Sequence, residues 1–117
     1  ILGERGIRTA VGTILDVNAV IRAKQRTHLP VFIDPSHAAQ DRNLVWGLTR
    51  AGIAVGADGA IIEVHNHPES AKSDGKQAIS TRSLVAICED VAMLAPLLNR
   101  TFALPLLHLA TSFSGER

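Results

Sequence analysis

With 117 residues, 46% of them hydrophobic, the chain fits one domain with a modest core. Its net charge is +1 and its aromatic side chains are three Phe and one Trp, so it lacks the basic excess and the stacking residues typical of nucleic-acid binding. The single cysteine, Cys88, allows no intrachain disulfide and fits a reducing cytoplasm. We therefore expect a cytoplasmic protein with no nucleic-acid partner and no membrane partner.

The first predicted elements are a strand end, a loop and a helix. The chain begins in an apolar run with no initiator methionine and no basic segment ahead of it. We therefore expect residues 1–4 to end a strand that starts upstream, and we expect no signal peptide. Residues 9–15 are expected to form a loop. Asp16 is placed to cap a helix that ends in the basic turn 24–26. The expected apolar face of this helix is Val17, Val20, Ile21 and Ala23.

A second strand and a second helix follow. The β-branched and aromatic run 31–34 predicts a strand, which Pro35 ends because proline cannot donate to a ladder. Asp41 is placed to cap a helix over about residues 42–55, and Gly56 is a candidate for the left-handed residue after its end. The expected apolar face of this helix is Leu44, Val45, Leu48, Ala51 and Val55.

The last part of the chain predicts a strand, a polar loop and a helix. Residues 60–64 are apolar without alternation, as in a strand buried on both faces. A polar loop then leads to Ser80 or Thr81, either of which can open a helix. That helix is expected to run to about Leu94 and to be interrupted near Pro96.

The element order β-α-β-α-β-loop-α predicts an α/β fold with parallel strands and right-handed helical crossovers. Three strands cannot close a barrel, so two sheet edges stay exposed. The apolar stretch 84–110 is broken by charged residues and two prolines, so it falls short of the roughly 18 apolar residues of a membrane span. Each predicted strand ends in polar residues, and (β/α)₈ enzymes build their active sites from such strand ends.

Three possible metal ligands lie at or after the predicted strand ends: His37, Glu63 and Asp74. One imidazole and two carboxylates suit Mn²⁺, Fe²⁺, Co²⁺ or Zn²⁺. Glu63 is the most informative of the three, because a carboxylate that ends an apolar strand needs a cation or a metal as partner. The alternative is a loop histidine with two solvated or capping acids, and spacing alone favours that alternative.

Three charged residues next to the predicted strands, Arg5, Arg8 and Asp34, are candidates for the site. Arg5 and Arg8 flank a glycine directly after the first strand, which suits a phosphate or carboxylate anion. The alternative for Arg5 is a rim salt bridge with Glu4, and the residues alone do not decide between the two. Asp34 can orient His37, take part in proton transfer or cap the following turn.

Other polar residues give weaker signals. His65 and His67 form a His-x-His pair, but the turn expected around Pro68 favours ordinary loop histidines. Arg42 begins a helix and can direct its charge toward the same face of the sheet. Ser36 is interpreted as a turn residue.

Four segments carry a resemblance to a known family: ERGIRT at 4–9, THLPVFIDPSHA at 27–38, AVGADGAIIEVH at 54–65 and SDG at 73–75. In this order and spacing they resemble the C-terminal part of 3-deoxy-7-phosphoheptulonate (DAHP) synthases, of the class I family that also includes 3-deoxy-octulosonate 8-phosphate synthases. The resemblance covers about residues 1–80. It implies the last three βα units of a TIM (β/α)₈ barrel at residues 1–95, followed by an unassigned tail at 96–117.

The resemblance also implies an activity. Family members are metal-dependent enzymes that condense phosphoenolpyruvate with erythrose 4-phosphate, at the start of the shikimate pathway to aromatic amino acids. By resemblance, His37, Glu63 and Asp74 are ligands of a divalent metal (Mn²⁺, Fe²⁺, Co²⁺ or Zn²⁺). Asp34 and His37 have catalytic roles, and Arg5 binds the phosphate of phosphoenolpyruvate. The complete enzyme is expected to be a homo-oligomer.

Some family features are changed or missing in this sequence. The fourth metal ligand of the family is a cysteine from the first barrel strand, and Cys88 in the last helix is not its counterpart. Gly3 stands where many relatives have Cys, and the loop after RGIRT is shorter. One alternative is the sibling octulosonate 8-phosphate synthase, which ERGIRT and IDPSH disfavour. The other is a non-catalytic barrel fragment, inactive without the missing N-terminal half.

Overall fold

The computed structural model describes residues 1–103, and a three-stranded sheet lies at its centre. In chain order the elements are β1 Leu2–Glu4, β2 Ile7–Thr9, β3 Gly12–Ile14, α1 Val17–Arg26, β4 Val31–Ile33, α2 Pro35–Ala39, α3 Arg42–Ala54, β5 Gly59–Ala60, a 3₁₀ turn Pro68–Ser70, and α4 Thr81–Leu97. The central sheet has the order β1-β4-β5, and both of its strand pairs are parallel. The predicted α/β class with parallel strands is therefore confirmed for this sheet.

The parallel register brings three strand ends to one edge of the sheet. Glu4 pairs with Ile33, and Ile33 pairs with Ala60 on its other side. Carboxyl ends of parallel strands lie together, so the segments that follow β1, β4 and β5 are neighbours. This edge carries the candidate site described below.

The core lies between the sheet and the helices α1 and α3. Val20, Val31, Ile33 and Val45 are almost completely buried there. Gly52 lets α3 approach the sheet closely, because a Cβ at this position would lie 2.3 Å from Ile33 Cδ1. The close contact of helix and sheet holds β4 in the centre of the fold.

The prediction of a loop at residues 9–15 is wrong, because an antiparallel hairpin occupies this part of the chain. Strand β2 pairs with β3 through Ile7–Ile14, Arg8–Thr13 and Thr9–Gly12. The Thr9 hydroxyl donates to the Gly12 carbonyl at 2.6 Å, and Gly12 adopts φ +123°, which favours glycine. The local signal for this hairpin is a two-residue turn followed by glycine, which the spacing of apolar residues does not reveal.

The third strand is shorter and more exposed than expected. Strand β5 ends at Ala60, and only an isolated parallel bridge between Val64 and Ile79 follows it. Ile61 is 55% exposed, so the expectation of a strand buried on both faces over residues 60–64 is wrong. An apolar sequence allows a segment to be buried, but the segment is buried only where a neighbouring element covers it.

The helix starts are predicted well and the buried faces less well. Asp16 and Asp41 cap α1 and α3 through their side chains, as expected. Ile21 and Leu44 were both expected in the core but are 37% and 52% exposed. The buried side of α3 is Val45, Thr49, Gly52 and Ile53. A small glycine and a polar threonine give little hydropathy signal. The face of α3 predicted from apolar residues is therefore rotated about the helix axis relative to the face that is buried.

The last helix runs through Pro96 instead of being interrupted before it. Ser80 caps α4, which ends at Leu97. Proline lacks an N–H, but here it lies in the final turn, where only the end of the ladder is affected. The Arg100 N–H donates to the Ala95 carbonyl at 2.9 Å and closes that turn. No helix within residues 1–103 is long and apolar enough to cross a membrane, and residues 104–117 of the expected tail lie outside the described part.

Candidate metal centre

His37 is positioned by the short helix α2, which the sequence analysis did not predict. Asp34 caps this helix, and its Oδ1 accepts the His37 N–H at 3.1 Å. Its Oδ2 lies 2.8 Å from His37 Nδ1. Asp34 thus performs two of its three predicted roles, because it caps the turn and orients the imidazole. With Nδ1 engaged, Nε2 is the ring nitrogen left for a ligand.

Glu63 is held by hydrogen bonds to its backbone. Its N–H donates to Ser36 Oγ at 3.0 Å, and its carbonyl accepts the Ile79 N–H at 2.9 Å. Ser36 is fully buried, so it does more than form a turn. Sequence reasoning missed this role because the partner is 27 positions away.

Asp74 lies on the exposed loop before α4 in a left-handed conformation with φ +55°. Its Oδ1 accepts from Gln77 Nε2 at 3.0 Å. Arg42 connects this loop to the start of α3: its backbone N–H donates to the Lys76 carbonyl at 2.9 Å, and its guanidinium donates to the Gly75 carbonyl. The Arg42 side chain, whose charge was expected on the same face of the sheet, therefore anchors the loop that carries Asp74.

The three predicted ligands converge. One ligand atom each from His37, Glu63 and Asp74 can be chosen so that all three lie within 4.8 Å of one another. Two of the residues are half-buried and Asp74 is exposed. The three side chains therefore lie together at one edge of the sheet, although they come from a helix, a strand extension and a loop.

Arg5 lies beside this group and forms a different ion pair from the one considered in the sequence analysis. Its Nε is 3.1 Å from Asp34 Oδ2, while its side chain is 63% exposed. Glu4, the expected partner, instead accepts the Gly6 N–H at 2.9 Å. The interpretation of Arg5 as the partner of Glu4 in a rim salt bridge is therefore wrong. Nε faces Asp34, and no residue within 1–103 hydrogen-bonds the two terminal nitrogens of the guanidinium, which leaves them to face an anion.

The turn that carries Arg5 is tightly packed. Gly6 adopts φ +102°, and a Cβ there would lie 2.7 Å from Thr13 Cγ2 and 2.9 Å from Ala38 Cα. The hairpin and α2 therefore close around this turn. A further carboxylate oxygen, Glu4 Oε2, is buried next to it without a hydrogen-bond partner among the described residues.

The remaining candidates lie outside the group. The His67 N–H donates to His65 Nδ1 at 3.0 Å in an exposed loop turn, as expected for ordinary loop histidines. Cys88 lies in α4, where burial, together with the charge of Glu89, raises the pKa of its thiol. None of these three side chains contributes to the converging ligand set found within residues 1–103.

A separate ion network stabilises the opposite end of the sheet. Asp58 precedes β5 and accepts from Lys24 Nζ at 2.7 Å, from the Val31 N–H at 2.8 Å and from Arg100 Nη2 at 2.8 Å. Burial alone would raise the pKa of Asp58, but the hydrogen bonds and the two cations outweigh it and lower the pKa below its ordinary value. This network connects α1, β4 and the segment after α4.

Comparison with curated proteins gives two groups of relatives. The chain is 46% identical over 102 residues to phospho-2-dehydro-3-deoxyheptonate aldolase of Thermotoga maritima, a match that covers 85% of this chain and 30% of that protein. It is 31% identical over 102 residues to 2-dehydro-3-deoxyphosphooctonate aldolase of Helicobacter hepaticus, covering 77% of this chain and 37% of that protein. The chain thus spans about a third of the length of these relatives.

Solved structures agree with the sequence comparison. A crystal structure of phospho-2-dehydro-3-deoxyheptonate aldolase (DAHP synthase) from Thermotoga maritima matches with a TM-score of 0.84 and 44% identity, over 86% of this chain and 31% of that one. A truncated form of the Thermotoga synthase matches with a TM-score of 0.82 and 45% identity, over 86% of this chain and 40% of that one. A family model described as the DAHP synthetase I family matches residues 1–98. With sequence, fold and family model in agreement, the chain belongs to the DAHP synthetase I family.

Proposed function

We propose that this chain is the C-terminal portion of a TIM (β/α)₈ barrel and carries the metal-binding part of a DAHP synthase. The whole enzyme would condense phosphoenolpyruvate with erythrose 4-phosphate. The 46% identity to the Thermotoga aldolase supports this activity over the octulosonate alternative, whose relatives are 31% identical or close to it. The convergence of the three side chains at the sheet edge is the observation that carries the proposal.

The donor set at the sheet edge fits a divalent metal. His37 offers a neutral imidazole nitrogen, and Glu63 and Asp74 offer carboxylate oxygens, a combination suited to Mn²⁺, Fe²⁺, Co²⁺ or Zn²⁺. Ligand atoms bound to one tetrahedral metal at about 2.0–2.2 Å lie about 3.3–3.6 Å apart. The three ligand atoms lie within 4.8 Å of one another, so metal binding requires them to move closer together.

Each residue of the proposed site has a separate task. A bound divalent metal supplies Lewis-acid polarisation of a carbonyl oxygen. Asp34 keeps the His37 imidazole oriented and holds Arg5 through its Nε. The free fork of Arg5 is suited to two oxygens of a phosphate group. In this arrangement the phosphate group and the metal ligands lie at the same edge of the sheet. Their proximity favours the reaction.

Exposed apolar side chains beside the central sheet and in the hairpin fit the proposal of a partial barrel. Strand β1 has β4 on one side only among the described strands. Ile1, Ile7 and Ile61 are exposed although their side chains are apolar. Unpaired strand edges and bare apolar faces are unfavourable in water. In a (β/α)₈ barrel the neighbouring strands would cover them. The alternative of a non-catalytic fragment would therefore describe the isolated chain and not the complete barrel.

We also propose a cytoplasmic location and a homo-oligomeric state for the complete enzyme. The single cysteine supports a reducing compartment. Sedimentation of the complete barrel under native conditions measures the assembly state.

Titration with Mn²⁺ tests the proposed site directly. We expect the chain to bind one Mn²⁺, and we expect alanine at His37, Glu63 or Asp74 to lower the affinity by at least about 10-fold. Alanine at His65 or His67 serves as the matched control and should leave the affinity unchanged. Absence of binding to the folded wild-type chain, or equal losses in the control variants, would contradict the proposed centre.

A further inference from the structure

Ser36 and Glu63 are joined at the top of the sheet by a single hydrogen bond. The Glu63 N–H donates to Ser36 Oγ at 3.0 Å. The exposed fraction of Ser36 is 0%, so water does not replace this contact. A buried hydroxyl is unfavourable unless it is hydrogen-bonded, and this bond gives the buried Ser36 oxygen its partner.

The backbone of Glu63 depends on this bond because regular strand pairing has already ended. The last ladder contact of β5 with β4 is the Ile61 N–H, which donates to the Ile33 carbonyl at 2.8 Å. On the other side, the Glu63 carbonyl accepts the Ile79 N–H at 2.9 Å. Ser36 thus holds the Glu63 N–H, and Ile79 holds the Glu63 carbonyl. Together they set the direction in which the Glu63 side chain leaves the backbone.

The same bond relates two of the proposed ligands to each other. Ser36 immediately precedes His37 within α2, and His37 is itself fixed by Asp34 through the backbone and the ring. Glu63 is therefore anchored to the same short helix that carries His37. We infer that Ser36 is a positioning residue, which sets the placement of Glu63 relative to His37 for metal binding.

This inference rests on the proposed metal centre and deepens it. Ligand constellations function when their members are held to within about 0.5 Å. Replacing Ser36 by alanine leaves the Glu63 N–H without its partner, so the peptide is free to turn. Because partners of metal ligands typically contribute about 10–100-fold to metal affinity, we expect Ser36→Ala to weaken Mn²⁺ binding by about 10-fold or more.

A double-mutant cycle separates positioning from general loss of structure. Mn²⁺ is titrated against the full chain and monitored by the electron paramagnetic resonance of free Mn²⁺, which also measures weak binding. In the Glu63→Ala background the added Ser36→Ala change should have no further effect, because the residue it positions is gone. In the Asp74→Ala background it should keep its full effect of about 10-fold.

Thr49→Ala is the matched control. Thr49 is also buried, and its hydroxyl donates to the Val45 carbonyl at 2.7 Å inside α3. This variant should lower the urea midpoint but leave the Mn²⁺ affinity within about twofold. Circular dichroism checks the fold of every variant. If Ser36→Ala does not fold, Ser36→Cys, which keeps the side-chain size with a weaker acceptor, enters the same cycle.

The outcomes distinguish the two proposals. A wild-type chain that does not bind Mn²⁺ overturns the metal centre. A wild-type chain that binds, together with a folded Ser36 variant of equal affinity, overturns the role of Ser36 alone. Equal effects of Ser36→Ala in the Glu63→Ala and Asp74→Ala backgrounds also overturn it, since a purely structural loss would not depend on Glu63.

Discussion

At the scale of single residues, Asp34 links the two halves of the proposed site. One of its oxygens caps α2, and the other accepts from both His37 Nδ1 and Arg5 Nε. The carboxylate is 7% exposed, so its charge is held by these donors more than by water. Its position explains why an exposed arginine and a half-buried histidine lie next to each other.

Arg5→Ala in a complete barrel should weaken the use of phosphoenolpyruvate and leave the metal content unchanged. Loss of one charge-assisted contact costs about 1.5–3 kcal/mol, or roughly one to two decades in kcat/KM. Arg5→Lys should not restore it, because lysine lacks the planar fork. Steady-state kinetics with metal analysis measures both properties. Unchanged kcat/KM with a lower melting temperature would show that Arg5 only pairs with Asp34.

Asp58→Asn should remove a pH-dependent part of the stability. The pKa of Asp58 is lowered in the folded chain, so its contribution is complete above the ordinary carboxyl pKa and is lost as the pH falls through the folded value. We expect the variant to be less stable by about 1–2 kcal/mol near neutral pH. The difference from wild type should shrink in acid.

Urea unfolding across about pH 2–7 measures this difference. Glu69→Gln is the control, because Glu69 forms an exposed pair with Arg42 and such pairs contribute at most about 1 kcal/mol. A stability difference between wild type and Asp58→Asn that stays constant into acid would contradict the role given to the ionised carboxylate.

At the scale of elements, the distance between α3 and the sheet depends on one glycine. Gly52 faces Ile33, the last residue of the central strand β4, whereas a Cβ added at Gly47 in the same helix would meet no neighbouring atom within 4 Å. The two glycines have equal intrinsic cost in a helix. They differ only in what lies opposite them.

Replacing each of these glycines by alanine should therefore have opposite effects. Gly47→Ala should stabilise the chain by about 0.5–1 kcal/mol, because alanine lowers the backbone entropy cost. Gly52→Ala should destabilise it by about 1–2 kcal/mol net, because the new methyl group would overlap the buried Ile33. Urea unfolding of both variants tests this. A stabilising Gly52→Ala would mean that α3 is free to move away from the sheet.

At the scale of the whole molecule, the described residues bring three candidate ligands together at one edge of a three-stranded parallel sheet, which we propose to be part of a barrel wall. Among the described residues, its central sheet has three strands, and apolar side chains next to them, Ile1 and Ile61, are exposed. An active site of a (β/α)₈ barrel is assembled from several strand ends. In the proposed barrel, the groups that recognise a second substrate and complete the metal coordination would therefore lie beyond the three strands described.

The isolated chain should accordingly show no synthase turnover, although we expect it to bind metal. Phosphate release from phosphoenolpyruvate, dependent on erythrose 4-phosphate, measures the activity of the purified chain. Mixing the chain with the first five βα units of a relative is the informative second sample. Turnover by the chain alone would show that three strand ends are sufficient.

Several features were predictable from local sequence. Asp16, Asp41 and Ser80 cap their helices because a short polar side chain before an apolar run satisfies free N–H groups. Gly56 follows α3 with φ +111°, as expected of a residue that must leave the helix. The meeting of His37, Glu63 and Asp74 was expected from the resemblance to the family, whereas the spacing of these residues alone favoured a loop histidine with two solvated or capping acids.

Only the tertiary structure decided the contacts between distant parts of the chain. Ser36 reaches Glu63 across 27 positions, Arg42 holds the loop of Asp74, and Arg5 pairs with Asp34 instead of Glu4. Local propensity describes a residue and its near neighbours along the chain, whereas these partners are set by how the helices pack on the sheet. The sequence by itself therefore indicated which side chains are candidate ligands, and the packing determined which other residues hold them in place.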